Sequence, residues 1–229
     1  MSKLGFTQPL FTVDNVMFAI DQGQLTVLLV KRGIEPYLAA WSLPGGFIDV
    51  QLDQDVQACA RRKLEQKTGL TPAYLEQLQV FSGAQRDPRG YSVSLAFFAL
   101  VPYTPVSSQI SSATQASWWP LEQLDSLPLA FDHREIIQQA HQRLQQKALY
   151  SLLPVFCLPS TFTVGQLKTV IETILGREIQ RKSLMRRIEA SGMFILTEHK
   201  QASGGRQAQL YQLKPGVDIT HFSRNMGNA

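Results

Sequence analysis

The sequence predicts a mixed α/β domain over residues 1–150, followed by a small domain of two helices and a β-hairpin over residues 151–229. Three observations support this division. In the first part, short β-branched and aromatic segments alternate with amphipathic helical segments. The segment SLLPVFCLPSTF, which begins at residue 151, then interrupts the pattern with two prolines, as domain boundaries often do. Behind it, two helical segments precede two short strands joined by a glycine-rich turn.

In the first domain, strands are predicted at NVMFAI, LTVLLVKR, VFSGAQR and YSVSLAFFALV. Between the second and third of these, residues 53–67 are predicted to form a helix. Its apolar residues recur every four positions, at Val56, Ala60 and Leu64. Asp53 or Asp55 is placed to cap the start of this helix, and Gly69 is placed to end it.

A second helix is predicted over residues 133–150. Its expected buried stripe consists of Ile136, Ile137, Ala140, Leu144 and Leu149. In the second domain, Thr163 and Gln166 fit a capping box that opens a helix ending at Gly176. Another helix is predicted over residues 178–191, and the strands MFILTE and QAQLYQL flank the turn HKQASGGR.

Composition excludes several classes of protein. Of the 229 residues, 44% are hydrophobic and 17% are charged, which are the values of a folded globular chain. No apolar run approaches the length of a transmembrane helix, and the N-terminus lacks the pattern of a secretory signal, so we expect no membrane association. The two cysteines, Cys59 and Cys157, do not form a disulfide framework and indicate a reducing cytoplasm.

Basic charge is concentrated at the C-terminal end. Residues 1–150 carry 12 basic and 13 acidic side chains, whereas residues 151–229 carry 10 basic and 5 acidic ones. The excess positive charge therefore lies in the second domain, where it favours a polyanionic partner. An ordinary solvated basic surface is the alternative interpretation.

The segment WSLPGGFIDV, followed by a helix that ends in KTGL, resembles the signature of Nudix hydrolases. In that signature, a pair of glycines leads into a loop and a helix ending Arg-Glu-apolar-x-Glu-Glu-x-Gly-apolar. The matching residues of this sequence are Gly45, Gly46, Arg62, Leu64, Gly69 and Leu70. The resemblance implies an α/β/α sandwich with a mixed sheet and a nucleotide pocket.

The catalytic glutamates of this signature are missing. Their three positions on the helix hold Lys63, Gln66 and Lys67, which share one helical face. Magnesium requires oxygen ligands, and a protonated lysine supplies none. We therefore expect no catalytic residues and no metal site, but a lysine-bearing face that attracts a diphosphate. The alternative is a helix that only packs, with both lysines in solvent.

Two further motifs follow in order, the turn RDPRG at residues 86–90 and the segment LAFDHREII at residues 129–137. With LPGGF, they resemble the NrtR family of Nudix-related regulators of NAD metabolism. That family pairs a Nudix domain that senses ADP-ribose with a winged helix that binds operator DNA as part of a dimer. The ligand-binding residues implied by motif position are Arg32, Gly45, Gly46, Phe47, Arg62, Lys63, Arg86, Asp87 and Arg89.

The helix at residues 178–191 is the expected DNA-reading helix. Ile179, Leu184 and Ile188 are predicted to face inward. The expected DNA-binding residues are Gln180, Arg181, Lys182, Ser183, Arg186 and Arg187 on the helix, with Lys200 and Arg206 on the hairpin. A helix in the major groove uses such side chains for base edges and phosphates.

Together these features predict a cytoplasmic, homodimeric repressor of NAD metabolism genes that binds double-stranded operator DNA. Its effector is ADP-ribose, bound without metal or cofactor by a catalytically inactive Nudix domain, and binding releases the DNA. One alternative is an active Nudix hydrolase of ADP-ribose or another nucleoside diphosphate derivative. Another is a module that binds RNA or protein through its basic end.

Overall fold

The computed structural model describes residues 8–106, 115–203, 206–223 and 226. The strands of the N-terminal part are β1 (Leu10–Asp21), β2 (Gln24–Lys31), β3 (Trp41–Ser42), β4 (Gly45–Phe47), β5 (Tyr74–Gly83), β6 (Ser92–Leu100) and β7 (Ala116–Pro120). The helices of this part are α1 (Val56–Thr68) and α2 (His133–Tyr150). Short 3₁₀ segments lie at Leu121–Ser126 and Leu153–Cys157.

These strands form one sheet in the order β3-β2-β1-β6-β5, with β4 also paired to β1 and β7 also paired to β2. The four predicted strands correspond to β1, β2, β5 and β6, so the predicted α/β fold is confirmed. The short strands β3, β4 and β7 were not predicted, because two to five residues are too few for a period-two pattern to emerge.

Helix α1 begins and ends at residues predicted from local chemistry. The carboxylate of Asp55 accepts the backbone N–H of Ala58 at 2.7 Å, so Asp55 rather than Asp53 is the N-terminal cap. Gly69 ends the helix with a φ of 70°, a left-handed conformation that glycine adopts without strain. The buried face of α1 packs Cys59 and Ala60 against core residues of β1 and β6.

Helix α2 spans residues 133–150, as predicted. Its buried stripe contains Ile136, Ile137, Ala140 and Leu144, together with Ala148. Leu149 is only half-buried, so the predicted stripe is wrong at its last position.

The C-terminal part contains β8 (Thr161–Thr163), α3 (Val164–Leu175), α4 (Arg181–Ser191), β9 (Phe194–Ser203) and β10 (Arg206–Leu213). The strands form a second sheet in the order β8-β10-β9. The predicted capping box is present: Thr163 Oγ1 accepts the N–H of Gln166 at 3.2 Å, and Gln166 Oε1 accepts the N–H of Thr163 at 2.7 Å. Two helices followed by a hairpin are thus confirmed.

The chain separates into two compact units. The first holds residues through Met17, Val27–Ala99 and Pro105–Ala140, and the second holds Phe18–Thr26, Leu100–Thr104 and the residues from His141 onward. Helix α2 contributes to both units, because the division falls between Ala140 and His141. The domain boundary near residue 151 stays a prediction of the sequence.

Within the described parts of the chain, no helix is both long and apolar enough to cross a membrane. Cys59 and Cys157 are both buried and unbonded to each other.

Candidate functional site

A cavity of about 230 Å³ lies in the first unit. Strands β1 and β4, helix α1, the loops after β2 and β5, and the start of α2 all contribute to its wall. The lining residues are Thr12, Asp14, Arg32, Ile34, Leu43, Gly45, Gly46, Phe47, Lys63, Lys67, Arg86, Asp87, Arg89, Phe131 and His133. The lining is rich in basic side chains, which suits a negatively charged ligand.

The two glycines of β4 form part of the cavity wall. Strand β4 pairs antiparallel with β1, placing Gly45 opposite Asp14 and Gly46 opposite Val13. A β-carbon at Gly45 would stand 2.5 Å from Asp14 Oδ1 and closer still to the carbonyl oxygen of Val13. Only glycine fits there, so the close pairing of β4 with β1 depends on it.

We expect Gly45→Ala to lower the free energy of unfolding by at least about 1–3 kcal/mol, because the added methyl group overlaps backbone that cannot move away. Chemical denaturation measures this loss. Gly165→Ala, in the first turn of α3, is the matched control, because a β-carbon there contacts only Thr163 Oγ1 at 3.6 Å. Equal losses in both variants would contradict the steric explanation.

Helix α1 presents two lysines to the cavity. Lys63 and Lys67 both line it, whereas Gln66 is exposed and accepts a hydrogen bond from Arg62 Nη1 at 3.2 Å. Burial lowers the pKa of Lys67; Asp14 opposes this, and the neighbouring cations Lys63 and Arg32 add to it. Of the three residues at glutamate positions of the Nudix signature, two therefore reach the cavity.

Arg62 does not line the cavity, although the resemblance implied it as a ligand-binding residue. Its Nε and Nη2 donate to the two carboxylate oxygens of Asp53 at 2.6 and 2.5 Å. The hydrogen bond from Arg62 lowers the pKa of Asp53 well below its usual range. The ion pair joins α1 to the loop before it. The guanidinium of Arg62 therefore has a structural role here, with its donors directed at Asp53 and Gln66.

Arginines and aromatic rings alternate along one side of the cavity. The guanidinium of Arg32 lies 4.8 Å from the ring centre of Phe131, and that of Arg89 lies 5.8 Å from the same ring and 5.2 Å from Phe47. Arg32 is held by its Nε, which donates to the carbonyl of Pro36 at 2.8 Å. Such stacked cations retain charge while presenting flat surfaces to a ligand.

Arg86 lines the cavity as part of an internal ion pair. Its Nε and Nη2 donate to both oxygens of Asp132 at 2.8 and 2.7 Å, and its Nη1 donates to Ser92 Oγ at 3.1 Å. The bidentate face of Arg86, which was expected among the ligand-binding residues, is directed at Asp132 in this structure. Asp87 similarly receives Nε and Nη2 of Arg89 at 3.0 and 2.7 Å.

Asp14 and His133 are cavity residues that the sequence did not identify. His133 Nδ1 lies 3.0 Å from the backbone N–H nitrogen of Leu43, which donates to it, and His133 Nε2 lies 3.5 Å from Asp14 Oδ1. Asp14 Oδ2 accepts the hydroxyl of Ser94 at 2.6 Å. Burial raises the pKa of Asp14, but His133, Ser94 and Arg86 together lower it to about 2. The segment LAFDHREII contained the signal for His133, whereas nothing local marks Asp14.

The lowered pKa of Asp14 makes a prediction about acid stability. The ordinary value is 3.8 and the folded value is about 2, so the stabilisation is complete above pH 4 and is lost as the pH falls towards 2. We expect it to be on the order of 2 kcal/mol. The difference in unfolding free energy between the wild type and Asp14→Asn, measured in urea, should shrink over this range. A constant difference from pH 4.5 to 2.5 would contradict the prediction.

A separate basic surface lies on α4, in the second unit. Arg181, Lys182 and Arg186 are exposed along this helix, and Ser183 is half-buried. Gln180 is exposed and immediately precedes the helix, and Lys200 is exposed on β9. The side chain of Arg206 lies outside the described residues. The predicted inward residues Ile179, Leu184 and Ile188 are buried, as expected.

Arg187 is buried, so its predicted position on the outer, DNA-facing side of the helix is wrong. Only 7% of the residue is exposed. Its Nη1 donates to the backbone carbonyl of Leu149 at 2.8 Å, and its guanidinium lies 4.7 Å from the ring centre of Phe222. Burial lowers its pKa. Arg187 lies three residues after Leu184, on the inward face, where a carbonyl and a ring accommodate its charge.

The similarity of this chain to known proteins identifies its family. The protein-family model of the NUDIX domain matches residues 11–140 of the sequence. The family model of the NrtR DNA-binding winged helix domain matches residues 154–213. The chain is 43% identical over 210 residues to the "ADPR responsive transcriptional repressor NtrR" of Acinetobacter baylyi, covering 92% of this chain and 84% of that protein. This chain belongs to the NrtR family. The resemblance seen in the sequence is thereby confirmed.

Solved structures of NrtR from Shewanella oneidensis match this NrtR-family chain closely. The one in complex with a 27mer DNA is 45% identical, covers 94% of this chain and 99% of its own, and has a TM-score of 0.86. The one of the NUDIX domain with ADP ribose is 43% identical, covers 63% of this chain and 94% of its own, and has a TM-score of 0.59.

The cavity of this NrtR-family chain does not fit the divalent cations of Nudix hydrolysis. Lys63 and Lys67 line it at positions where the Nudix signature has glutamates, and protonated lysines repel a cation. Among the residues that the structure describes, no three His, Cys, Asp or Glu side chains converge on one point.

Proposed function

We propose that this chain is a transcriptional repressor of NAD metabolism genes and that ADP-ribose controls it. Residues 1–150 form the ligand-sensing Nudix domain, and residues 151–229 form the winged helix domain that binds double-stranded operator DNA. Binding of ADP-ribose releases the DNA. The observation that carries the proposal is a cavity lined by lysines of α1 in a chain that also has an exposed basic helix, α4.

ADP-ribose fits the chemistry of the cavity. Its diphosphate is an anion, and Lys63, Lys67, Arg32 and Arg89 supply positive charge from several sides of the lining. The rings of Phe47 and Phe131 provide apolar surface for a base or a sugar. The proposed ligand-binding set is therefore the predicted one without Arg62, extended by Lys67 and Phe131.

The Nudix domain is proposed to bind ADP-ribose without cleaving it. Metal-assisted hydrolysis needs carboxylates that hold the ion against the pyrophosphate, and the lysines of α1 do the opposite. The test is incubation of the protein with ADP-ribose and Mg²⁺ or Mn²⁺, followed by chromatography for AMP. Turnover at ordinary enzyme rates, on the order of 1–10³ s⁻¹, would support the active hydrolase instead.

DNA binding and its control by ADP-ribose are tested together. A random duplex library is selected on the full-length protein, and the enriched duplex is used in mobility-shift titrations with and without ADP-ribose. We expect tight binding that ADP-ribose weakens by at least about tenfold, a coupling free energy near 1.4 kcal/mol. Failure to enrich any duplex would remove the repressor function, and binding unaffected by ADP-ribose would remove the sensor function.

We further propose that the repressor acts as a homodimer in the cytoplasm. A two-fold dimer presents two winged helices to a near-palindromic operator with half-sites one helical turn, or a multiple of it, apart. Light scattering of the protein alone and with the selected duplex measures the stoichiometry; one chain per duplex would contradict the dimer.

A further inference from the structure

We infer that Arg187 is a positioning residue that couples the DNA-contacting helix α4 to the ligand cavity by way of helix α2. The inference rests on the proposed function, since it explains how ADP-ribose changes DNA binding. It assigns a role to a buried charge that neither ligand binding nor DNA contact uses. Three features of the structure support it.

The first turn of α2 belongs to the ligand cavity. His133, its first residue, lines the cavity and is held by Leu43 and Asp14. The carboxylate of the preceding residue, Asp132, accepts hydrogen bonds from Nε and Nη2 of Arg86, which also lines the cavity. A ligand that alters the partners of Arg86 or His133 therefore acts directly on the start of this helix.

The last turns of α2 belong to the second unit, where they hold both helices of the winged helix domain. Gln145 Nε2 donates to the carbonyl of Ile174, in the last turn of α3, at 3.1 Å. The carbonyl of Leu149 accepts Arg187 of α4 at 2.8 Å. The carbonyl of Tyr150 accepts the backbone N–H of Phe222 at 2.7 Å.

Arg187 is suited to hold the C-terminal end of a helix. The last carbonyls of an α-helix lack partners within it and carry the negative end of its dipole. Arg187 is almost fully buried, and its guanidinium stacks on Phe222 and supplies a charged donor to the carbonyl of Leu149, which also accepts the backbone N–H of Met226 at 2.6 Å. Because water is largely excluded, the contact fixes where α4 sits on this helix end.

A continuous helix transmits a displacement of its first turn to its last, because its backbone hydrogen bonds form an unbroken ladder. Helix α2 has no proline or glycine in its 18 residues that would absorb such a movement. A change in the position of α2 then reaches α4 through the hydrogen bond between Arg187 and the carbonyl of Leu149. Its removal should uncouple the two sites while leaving the DNA-facing side chains in place.

The test compares Arg187→Met with Arg186→Ala, a variant of the exposed neighbour on the same helix. Three quantities are measured on the full-length chain: the Kd for the selected duplex between about 50 and 200 mM salt, the ratio of that Kd with and without saturating ADP-ribose, and the Kd for ADP-ribose by calorimetry. Thermal unfolding establishes that each variant is folded.

For Arg187→Met we expect the ADP-ribose ratio to fall towards 1, with the salt slope of DNA binding and the Kd for ADP-ribose unchanged. For Arg186→Ala we expect the reverse: an unchanged ADP-ribose ratio and a salt slope smaller by about 1, because the variant neutralises one phosphate fewer. A purely structural role of Arg187 would lower the unfolding temperature without altering the ratio.

The inference is overturned if folded Arg187→Met keeps the wild-type ratio, or if its salt slope falls by about 1, which would make Arg187 a direct DNA contact. If Arg187→Met is unfolded, the same three quantities are measured for Phe222→Leu, which removes the stacked ring, and the same results support or overturn the inference. A wild-type ratio of 1 would instead refute the proposed function, so the two failures are distinguishable.

Discussion

The double variant Lys63→Met, Lys67→Met is expected to weaken ADP-ribose binding about a hundredfold. Both ammonium groups line the cavity from one face of α1, and Lys67 is further desolvated by burial. Electrostatic interactions are stronger in such a setting than in water, so losing each charge should cost about 1.4 kcal/mol, a factor of ten. Methionine keeps an unbranched apolar side chain of nearly the same length and removes the charge together with its N–H donors. Isothermal titration calorimetry measures the change.

Gln66→Ala is the matched control for this experiment. Gln66 lies between the two lysines in the sequence, but its side chain is exposed and bonded to Arg62 rather than part of the cavity lining. We expect its Kd for ADP-ribose to remain within about twofold of the wild type, since exposed substitutions outside a site rarely exceed about 0.5 kcal/mol. A double methionine variant that binds like the wild type would place the diphosphate elsewhere.

The triple variant Arg181→Ala, Lys182→Ala, Arg186→Ala is expected to lower DNA affinity by a factor on the order of one hundred or more. These three side chains are exposed on α4, the second helix of the winged helix domain. If each neutralises one phosphate, the slope of log K against log salt should become shallower by about 0.9 for each side chain removed. Fluorescence anisotropy over a salt series measures both quantities, and ADP-ribose binding should be unchanged.

Glu189→Ala is the control on the same helix. Glu189 is also exposed, but its removal takes away negative charge, so DNA affinity should stay the same or rise slightly. If the triple variant retained its salt slope, the basic surface of α4 would not be the part of the domain that contacts phosphates. The hairpin of β9 and β10, which carries the exposed Lys200, would then be the next surface to test.

The sequence predicted those parts of the site that a motif keeps together. Gly45, Gly46, Phe47, Lys63, Arg86, Asp87, Arg89 and Arg32 were all expected at the ligand pocket, and all line the cavity. Arg62 belonged to the same motif but turns to Asp53, in the loop immediately before α1. Helical spacing specifies the direction of a side chain but not which nearby carboxylate captures it.

Asp14 and Phe131 illustrate what a motif does not carry. Asp14 reaches the cavity because β4 pairs with β1 across Gly45, and this pairing joins residues 31 positions apart. Phe131 is found there because its backbone adopts a φ of 54°, which is unusual for a bulky residue and turns the ring towards Arg32 and Arg89. Neither fact follows from local pattern.

The sequence by itself determined where the helices lie, the capping box of α3, the glycines that end α1 and α3, and the replacement of the Nudix glutamates by Lys63, Gln66 and Lys67. Each of these depends on residues within a few positions of one another, as the capping box of Thr163 and Gln166 shows. Only the tertiary structure decided where the charges point. From its neighbours in the sequence, Arg187 looks like one more exposed cation on a basic helix, yet it is buried. The carbonyl of Leu149, at the end of α2, accepts its hydrogen bond, and the ring of Phe222, from the chain after β10, packs against its guanidinium. A buried charge is tolerated only where distant partners meet it, and those partners are fixed by packing rather than by spacing along the chain.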